Sequence, residues 1–340
     1  MWYLCSFKSK KLIHLVCFCM ILLCACSGEN VSEEKKTAKL PTSEYAMTKV
    51  ELPFDTSRLN YGTSAIHDNY LSMFMVENGW FQWYVFDMNT ETWEEKEFVW
   101  DKHRKSDKFS FRGQVQYDSK GNLYGTWADN SQPEEKKYDI YKMNEDGTLE
   151  CYVKFSDYIS DYKDIADGWK FLDDDRVLVS VEYEASTKAR SIVIIDPVKH
   201  ELHETMMEEI SMFYNLQVDG SEYVYPMRSE DGKLAMRVGD MWDYKKKQAI
   251  QSDVELDDED ASAITLPLIR EEKSYFSFSK HGVYEFTLED EKMKCVVPSE
   301  VTKTELSKYP VYTDAYKAED EEKYFIVAQD DTKADLYKID

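Results

Sequence analysis

The sequence predicts an all-β chain folded as a six-bladed β-propeller and closed by its own N-terminal strand. Three observations predict it. Segments rich in aromatic and β-branched residues recur six times at spacings of 46 to 54 residues: YLSMFM at Tyr70, LYGTW at Leu123, VLVSV at Val177, YVYPM at Tyr223, YFSFS at Tyr275 and YFIVA at Tyr324. Each follows a polar turn and leads, after a second polar stretch, into another apolar strand. No long helical period interrupts them. Four strands in about 50 residues, repeated, is the pattern of a propeller blade.

Taken in chain order, the first element is not part of that pattern. Lys8, Lys10 and Lys11 precede a run of 12 residues, Leu12 to Leu23, that is apolar except for His14. A helix needs about 20 residues to span a bilayer, so this run reads as the core of an export signal. Leu23, Cys24, Ala25 and Cys26 then resemble the bacterial lipobox, with Cys24 standing where Ala or Ser is commoner. The resemblance implies that residues 1–25 are a lipoprotein signal peptide and that the Cys26 thiol carries a diacylglyceryl group. It further implies an extracytoplasmic protein held on the bacterial membrane or envelope through that lipid. Each buried methylene contributes about 0.8 kcal/mol, so two chains anchor far better than one. Residues 26–44 are charged and small without an apolar period, as a flexible tether would be.

Residues 45–340 form the propeller. MTKVELPF alternates Val50, Leu52 and Phe54 with Lys49, Glu51 and Pro53, the pattern of a half-buried strand, and Pro53 suits an outermost one. The six segments come next, each entered through HDN, DSKGN, DDDR, DGSE, EEKS or DEEK. Asp, Asn and Gly in these stretches supply hairpin-turn geometry. FQWYVFDM, YDIYKMN, RSIVIID, KLAMRVG, GVYEFTL and ADLYKID are the strands that follow, and outer strands such as TWEEKEFVW, TLECYVKF and MKCVVP come after them. ADLYKID ends the sequence one strand early, and the N-terminal strand is the one available to complete its sheet. With VQYDSKGNLY as the clearest example, the repeats resemble the loose superfamily of NHL-type and TolB-like six-bladed propellers. Kelch diglycines and YWTD are missing, and Trp242-Asp243 stands alone.

Composition narrows the partners. The chain holds 66 acids against 42 bases, a net charge of −24. A polyanion gains nothing from phosphate backbones, which argues against nucleic acid. Only Cys151 and Cys295 lie beyond Cys26, in the outer strands of blades two and five. Opposite sides of a ring are far beyond the roughly 7 Å that a disulfide spans, so two unpaired, partly buried thiols are expected. A monomer is expected.

Motifs for chemistry are weak. HELH at His200–His203 has its histidines three apart, not four on a helix, and reads as an outer-strand turn. DMNTETW, Asp87 to Trp93, resembles the sialidase Asp box, which is a structural turn; it also lacks the Gly and distant acid of a calcium loop. DDD at 173–175 and LDDEDAS at 256–262 read as solvated turns. Neither a nucleophile elbow nor a phosphate-binding loop is present, and neither cofactor nor metal is expected.

What the pattern does place is a loop-rich face. Tyr61, Trp80, Trp83, Phe109, Phe111, Tyr158, Tyr162, Trp169, Phe213, Tyr214 and Tyr312 fall in or near those loops, with His67, Arg112 and Gln114 near the inner strands. Most such aromatics elsewhere pack between blades; the candidates for ligand binding are Tyr61, His67, Trp80, Arg112, Tyr158, Tyr162, Trp169, Tyr214 and Tyr312. The function expected is a binding or scaffolding module for a glycan, a peptide or an envelope protein. A carbohydrate-active hydrolase or lyase with two facing carboxylates is the alternative.

Overall fold

In the computed structural model, contacts divide the chain into two units, Met1–Ser43 and Glu44–Asp340. The structure describes residues 47–54, 59–77, 80–105, 108–132, 138–160, 162–183, 190–207, 216–255, 268–270, 273–278, 282–287, 292–300, 312–317, 324–329 and 334–339. Cys26, Tyr214, Phe213 and the acid run at 256–262 lie outside these residues.

Among the described residues, the second unit is built from antiparallel sheets in a propeller-like arrangement. A strand β1 (Met47–Val50) comes first. The first sheet follows as β2 (Leu59–His67), β3 (Tyr70–Glu77), β4 (Trp80–Asp87) and β5 (Thr92–Lys96). A short helix α1 (Asp101–Lys105) leads to the second sheet of β6 (Phe109–Phe111), β7 (Gln116–Tyr117), β8 (Leu123–Asp129), β9 (Tyr138–Met143) and β10 (Leu149–Val153). The third sheet is β11 (Tyr162–Phe171), β12 (Val177–Tyr183), β13 (Arg190–Asp196) and β14 (Glu201–Glu204). The fourth is β15 (Gln217–Asp219), β16 (Glu222–Arg228), β17 (Lys233–Asp240) and β18 (Asp243–Glu255). The fifth is β19 (Leu268–Arg270), β20 (Lys273–Phe278), β21 (Gly282–Thr287) and β22 (Lys292–Pro298). The last contains β23 (Tyr312–Lys317), β24 (Tyr324–Gln329) and β25 (Ala334–Ile339), with β1 beside β25.

The six repeated segments are the second strands β3, β8, β12, β16, β20 and β24. Their composition follows from burial on both faces. Leu71 to Met75 in β3 and Val177 to Val181 in β12 are buried without alternation, because a neighbouring sheet covers each side. The fourth strand β5 reads exposed, half-buried, exposed, exposed, half-buried, as an edge in water should. A polar fourth strand also discourages pairing with another chain.

Consecutive sheets pack through shared apolar clusters. Phe74 and Trp83 of the first sheet meet Val115 and Trp127 of the second, and Tyr124 and Ile140 of the second meet Trp169 and Val179 of the third. Leu178 and Ile194 of the third sheet meet Tyr223 of the fourth. Leu71, Tyr84 and Phe86 of the first sheet share a core with Phe325, Val327 and Leu336 of the last.

The N-terminal segment joins those two ends. β1 pairs antiparallel with β25, setting Met47 opposite Ile339 and Val50 opposite Leu336. The ladder stops at Val50, and Pro53 lies in a bend beyond it, not within the outermost strand as expected. The reason is that the chain turns from the last sheet toward the first. Phe54 lies 4.7 Å from the Tyr84 ring, and the Trp93 indole N–H donates to the Glu51 carbonyl at 3.1 Å. Trp93, the tryptophan of the Asp-box-like stretch, is therefore a clamp on this segment.

The hairpin turns are held by aspartates. Asp118 Oδ1 accepts the N–H groups of Lys120 and Asn122 at 3.0 and 2.8 Å, Oδ2 accepts the Tyr124 hydroxyl at 3.2 Å, and Gly121 takes φ +78°. Burial works to raise the Asp118 carboxyl, but these bonds and that of the Asn122 amide outweigh it and hold it below its ordinary range. That geometry explains the Asp, Gly and Tyr of VQYDSKGNLY. Asp87, Asp196 and Asp240, each closing a third strand, accept N–H groups two and three residues on. Asp175, in the DDD turn, accepts both the N–H and the hydroxyl of Ser119 in the preceding sheet.

Cys151 and Cys295 are both unpaired, in β10 and β22. Cys295 is half-buried, but Cys151 is exposed and not partly buried as expected, because it sits on the edge strand of its sheet.

Candidate functional site

The second sheet has a broken inner strand. β6 and β7 both pair with β8, and residues 112–115 between them leave the ladder. Gly113 takes φ +77° and Gln114 φ +47°, a left-handed conformation that costs a residue with a Cβ about 1–2 kcal/mol. The break is pinned on both sides, with the Arg112 N–H donating to the Thr126 carbonyl at 2.9 Å and the Thr126 N–H donating to Gly113 at 3.1 Å. A second irregularity faces it. β11 slips register between Ile165 and Trp169, and Gly168 there takes φ +93°.

The two breaks lock together. Gln114 Nε2 and Gln116 Nε2 both donate to the Trp169 carbonyl, at 3.0 and 2.6 Å, and the Phe171 N–H donates to Gln116 Oε1 at 3.1 Å. A Cβ on residue 168 would lie 2.0 Å from Gln114 Nε2, so the amide occupies space that only glycine leaves. The Trp169 indole N–H donates to Thr126 Oγ1 at 2.9 Å, again across the two sheets.

Between them lies a cavity of about 250 Å³ lined by Arg112, Gln114, Thr126, Tyr138, Phe155, Ile165 and Trp169. Arg112 is exposed at its rim, with the guanidinium carbon 5.3 Å from the Tyr138 ring centroid, a cation–π contact. Phe155 and Trp169 are buried, and the rest of the wall is half-buried.

Asp139 stands next to this wall on β9 and is 2% exposed. Burial pushes its carboxyl up to about 6, although its Oδ1 accepts the Phe155 N–H at 3.0 Å. The unfolded carboxyl ionises first as pH rises, so stability falls as pH climbs from about 4 to 6 and stays low above it. Asp139→Asn keeps the acceptor and removes the charge. We expect it to gain about 1–2 kcal/mol at pH 8 and nothing at pH 4, measured by urea denaturation at both values.

The structure brings two of the sequence candidates, Arg112 and Trp169, into this cavity. Trp169 is a buried wall, not the exposed platform expected, because its ring packs into the core shared by the second and third sheets. His67 is a spacer between sheets, its ring 5.6 Å from that of Tyr117 and against Gly121. Tyr158 lies beside the outer hairpin of the third sheet, stacked on His200 at 6.5 Å. The backbones of Tyr61, Trp80, Tyr162 and Tyr312 belong to β2, β4, β11 and β23, and their side chains lie outside the described residues.

Trp83, Phe109 and Phe111 join an aromatic cluster between the first two sheets. The indole N–H of Trp83 is spent on buried Ser72 at 3.1 Å. His203 is in β14 and His200 in the turn before it. Gln114, Thr126, Tyr138, Phe155 and Ile165 complete the site. A glycine nine or ten residues before the second strand of two successive repeats, Gly113 and Gly168, was the available signal for it.

No protein-family model matches the chain, and no curated protein matches it. Solved structures that resemble it do so distantly. TolB from Acinetobacter baumannii is 12% identical over 58% of this chain and 45% of its own, with a TM-score of 0.38; this chain therefore spans less than half of that one. A luciferin-regenerating enzyme is 9% identical over 87% and 95%, with a TM-score of 0.47. A nidogen/laminin complex matches at 9% identity over 70% and 80%, with a TM-score of 0.41.

Proposed function

We propose that this protein is a lipid-anchored, extracytoplasmic binding module: a closed six-bladed propeller that holds its ligand in the cavity between its second and third sheets. The observation that carries the binding reading is Arg112. Among the described residues it makes no ion pair, in a chain with 66 acids. Arg176 is paired with Asp174 at 2.7 Å, and Lys338 with Glu91 at 2.8 Å. A guanidinium, an amide, a hydroxyl and aromatic faces converging on one concavity are groups that recognise rather than react. The six-blade reading is supported by the sheet-to-sheet clusters and by the register of β1 on β25.

The binding reading is tested by thermal shift of the full chain against envelope glycans and peptides, with Ile165→Trp as a plugged cavity. A ligand at 100 times its dissociation constant stabilises by about 2.7 kcal/mol. The plug is expected to remove that shift. A ligand that stabilises both proteins equally binds elsewhere and refutes the site. For the anchor, cells fed a fatty-acid analogue are expected to label the chain at Cys26 and to lose the label in Cys26→Ser; a label that persists refutes it.

A further inference from the structure

We infer that the cavity takes the free C-terminal residue of a peptide, its carboxylate on Arg112 at the rim and its apolar side chain against Phe155, Ile165 and Trp169. This rests on the cavity reading above and names the ligand class.

The carboxylate comes from the rim. A guanidinium presents a planar fork that matches a carboxylate with two parallel N–H···O bonds. Stacking over Tyr138 fixes that fork, and the backbone hydrogen bonds on either side of residues 112–113 fix its origin. The left-handed Gln114 is a strained residue kept in place by this same network, and such strain is retained where a site needs it.

The apolar side chain comes from the wall. The indole N–H of Trp169 is already committed to Thr126, and the Gln114 amide N–H to the Trp169 carbonyl. Among the described residues, the wall formed by Phe155, Ile165 and the Trp169 ring is apolar and suits a hydrocarbon side chain better than a sugar's hydroxyls. Gln114 Oε1 keeps an acceptor for one N–H, and the amide of a peptide's last residue supplies one. A space of about 250 Å³ has room for a side chain.

Isothermal titration of the full chain with acetyl-Ala-Leu, with its carboxamide, and with glucuronate tests this. The free acid is expected to bind at least about tenfold more tightly than the carboxamide, the range of a charge-assisted hydrogen bond. Arg112→Gln, at an exposed position, should abolish that preference. Equal binding of acid and amide, a preference that survives Arg112→Gln, or glucuronate binding more tightly than the peptide acid each overturns the proposal. If Ile165→Trp still abolishes whatever binding is seen, the cavity reading stands without it; if Ile165→Trp changes none of it, both fall.

Discussion

Deleting residues 45–55 lowers the melting temperature of the folded body by about 10 °C, measured by calorimetry on the deleted and parent chains. The segment does two things at once. β1 fills the open edge of β25 over four residue pairs, and Phe54 covers Tyr84 of the first sheet. Without it the core residues Leu336, Phe86 and Tyr84, each 5% exposed or less, lose cover on one side. Losing a large apolar side chain from such a core costs about 3–5 kcal/mol, and a body of this size gives up about 2 °C per kcal/mol. The exposed β25 edge also invites pairing between chains, so the deleted protein should aggregate on heating. A melt within 2 °C of the parent would mean that the last sheet does not depend on its fourth strand. Phe54→Ala alone should reproduce roughly a third of the effect, since it spares the ladder.

Gly168→Ala is the second large effect, at about 3 kcal/mol. Two costs combine. The φ of +93° disfavours any Cβ by about 1–2 kcal/mol, and the new methyl displaces the Gln114 amide, which then loses its bond to the Trp169 carbonyl for about 1 kcal/mol more. These can be separated by a double-mutant cycle with Gln114→Ala, which removes the obstacle. In that background Gly168→Ala should cost only the backbone strain. Equal costs in both backgrounds would show that the amide is not what the glycine accommodates. Binding at the cavity should fail in the single variant, because Gln114 forms part of its wall.

Much of the strand pattern could be read in the sequence because it is local. A buried second strand, a polar turn and a polar edge strand each leave their mark within a few residues, and the six apolar segments coincide with β3, β8, β12, β16, β20 and β24. The Asp, Gly and Tyr of 118, 121 and 124 are equally local, since one carboxylate holds the whole turn. What could not be read depends on pairs about 55 residues apart. Gln114 and Gly168 define the site only because their strands lie side by side. Composition gives the same weight to an aromatic that walls a cavity, such as Trp169, as to one that fills the gap between sheets, such as Phe111. Only the partner of each ring separates them. Pro53 departs from the expected strand for a related reason: alternation continues through Phe54, but the surface it serves changes from a ladder to a neighbouring sheet.

The pairing of Met47 with Ile339 has a temporal meaning as well. Those residues are 292 apart, and at about 5–20 residues per second a ribosome needs roughly 15–60 s to travel from one to the other. During that interval the first strand exists without its partner. Closing so long a loop is slow on entropic grounds, so the pairing of β1 with β25 is expected to form late. A chain arrested before Ala334 would lack β25, leaving β1 without the strand it pairs with and one edge of β24 open.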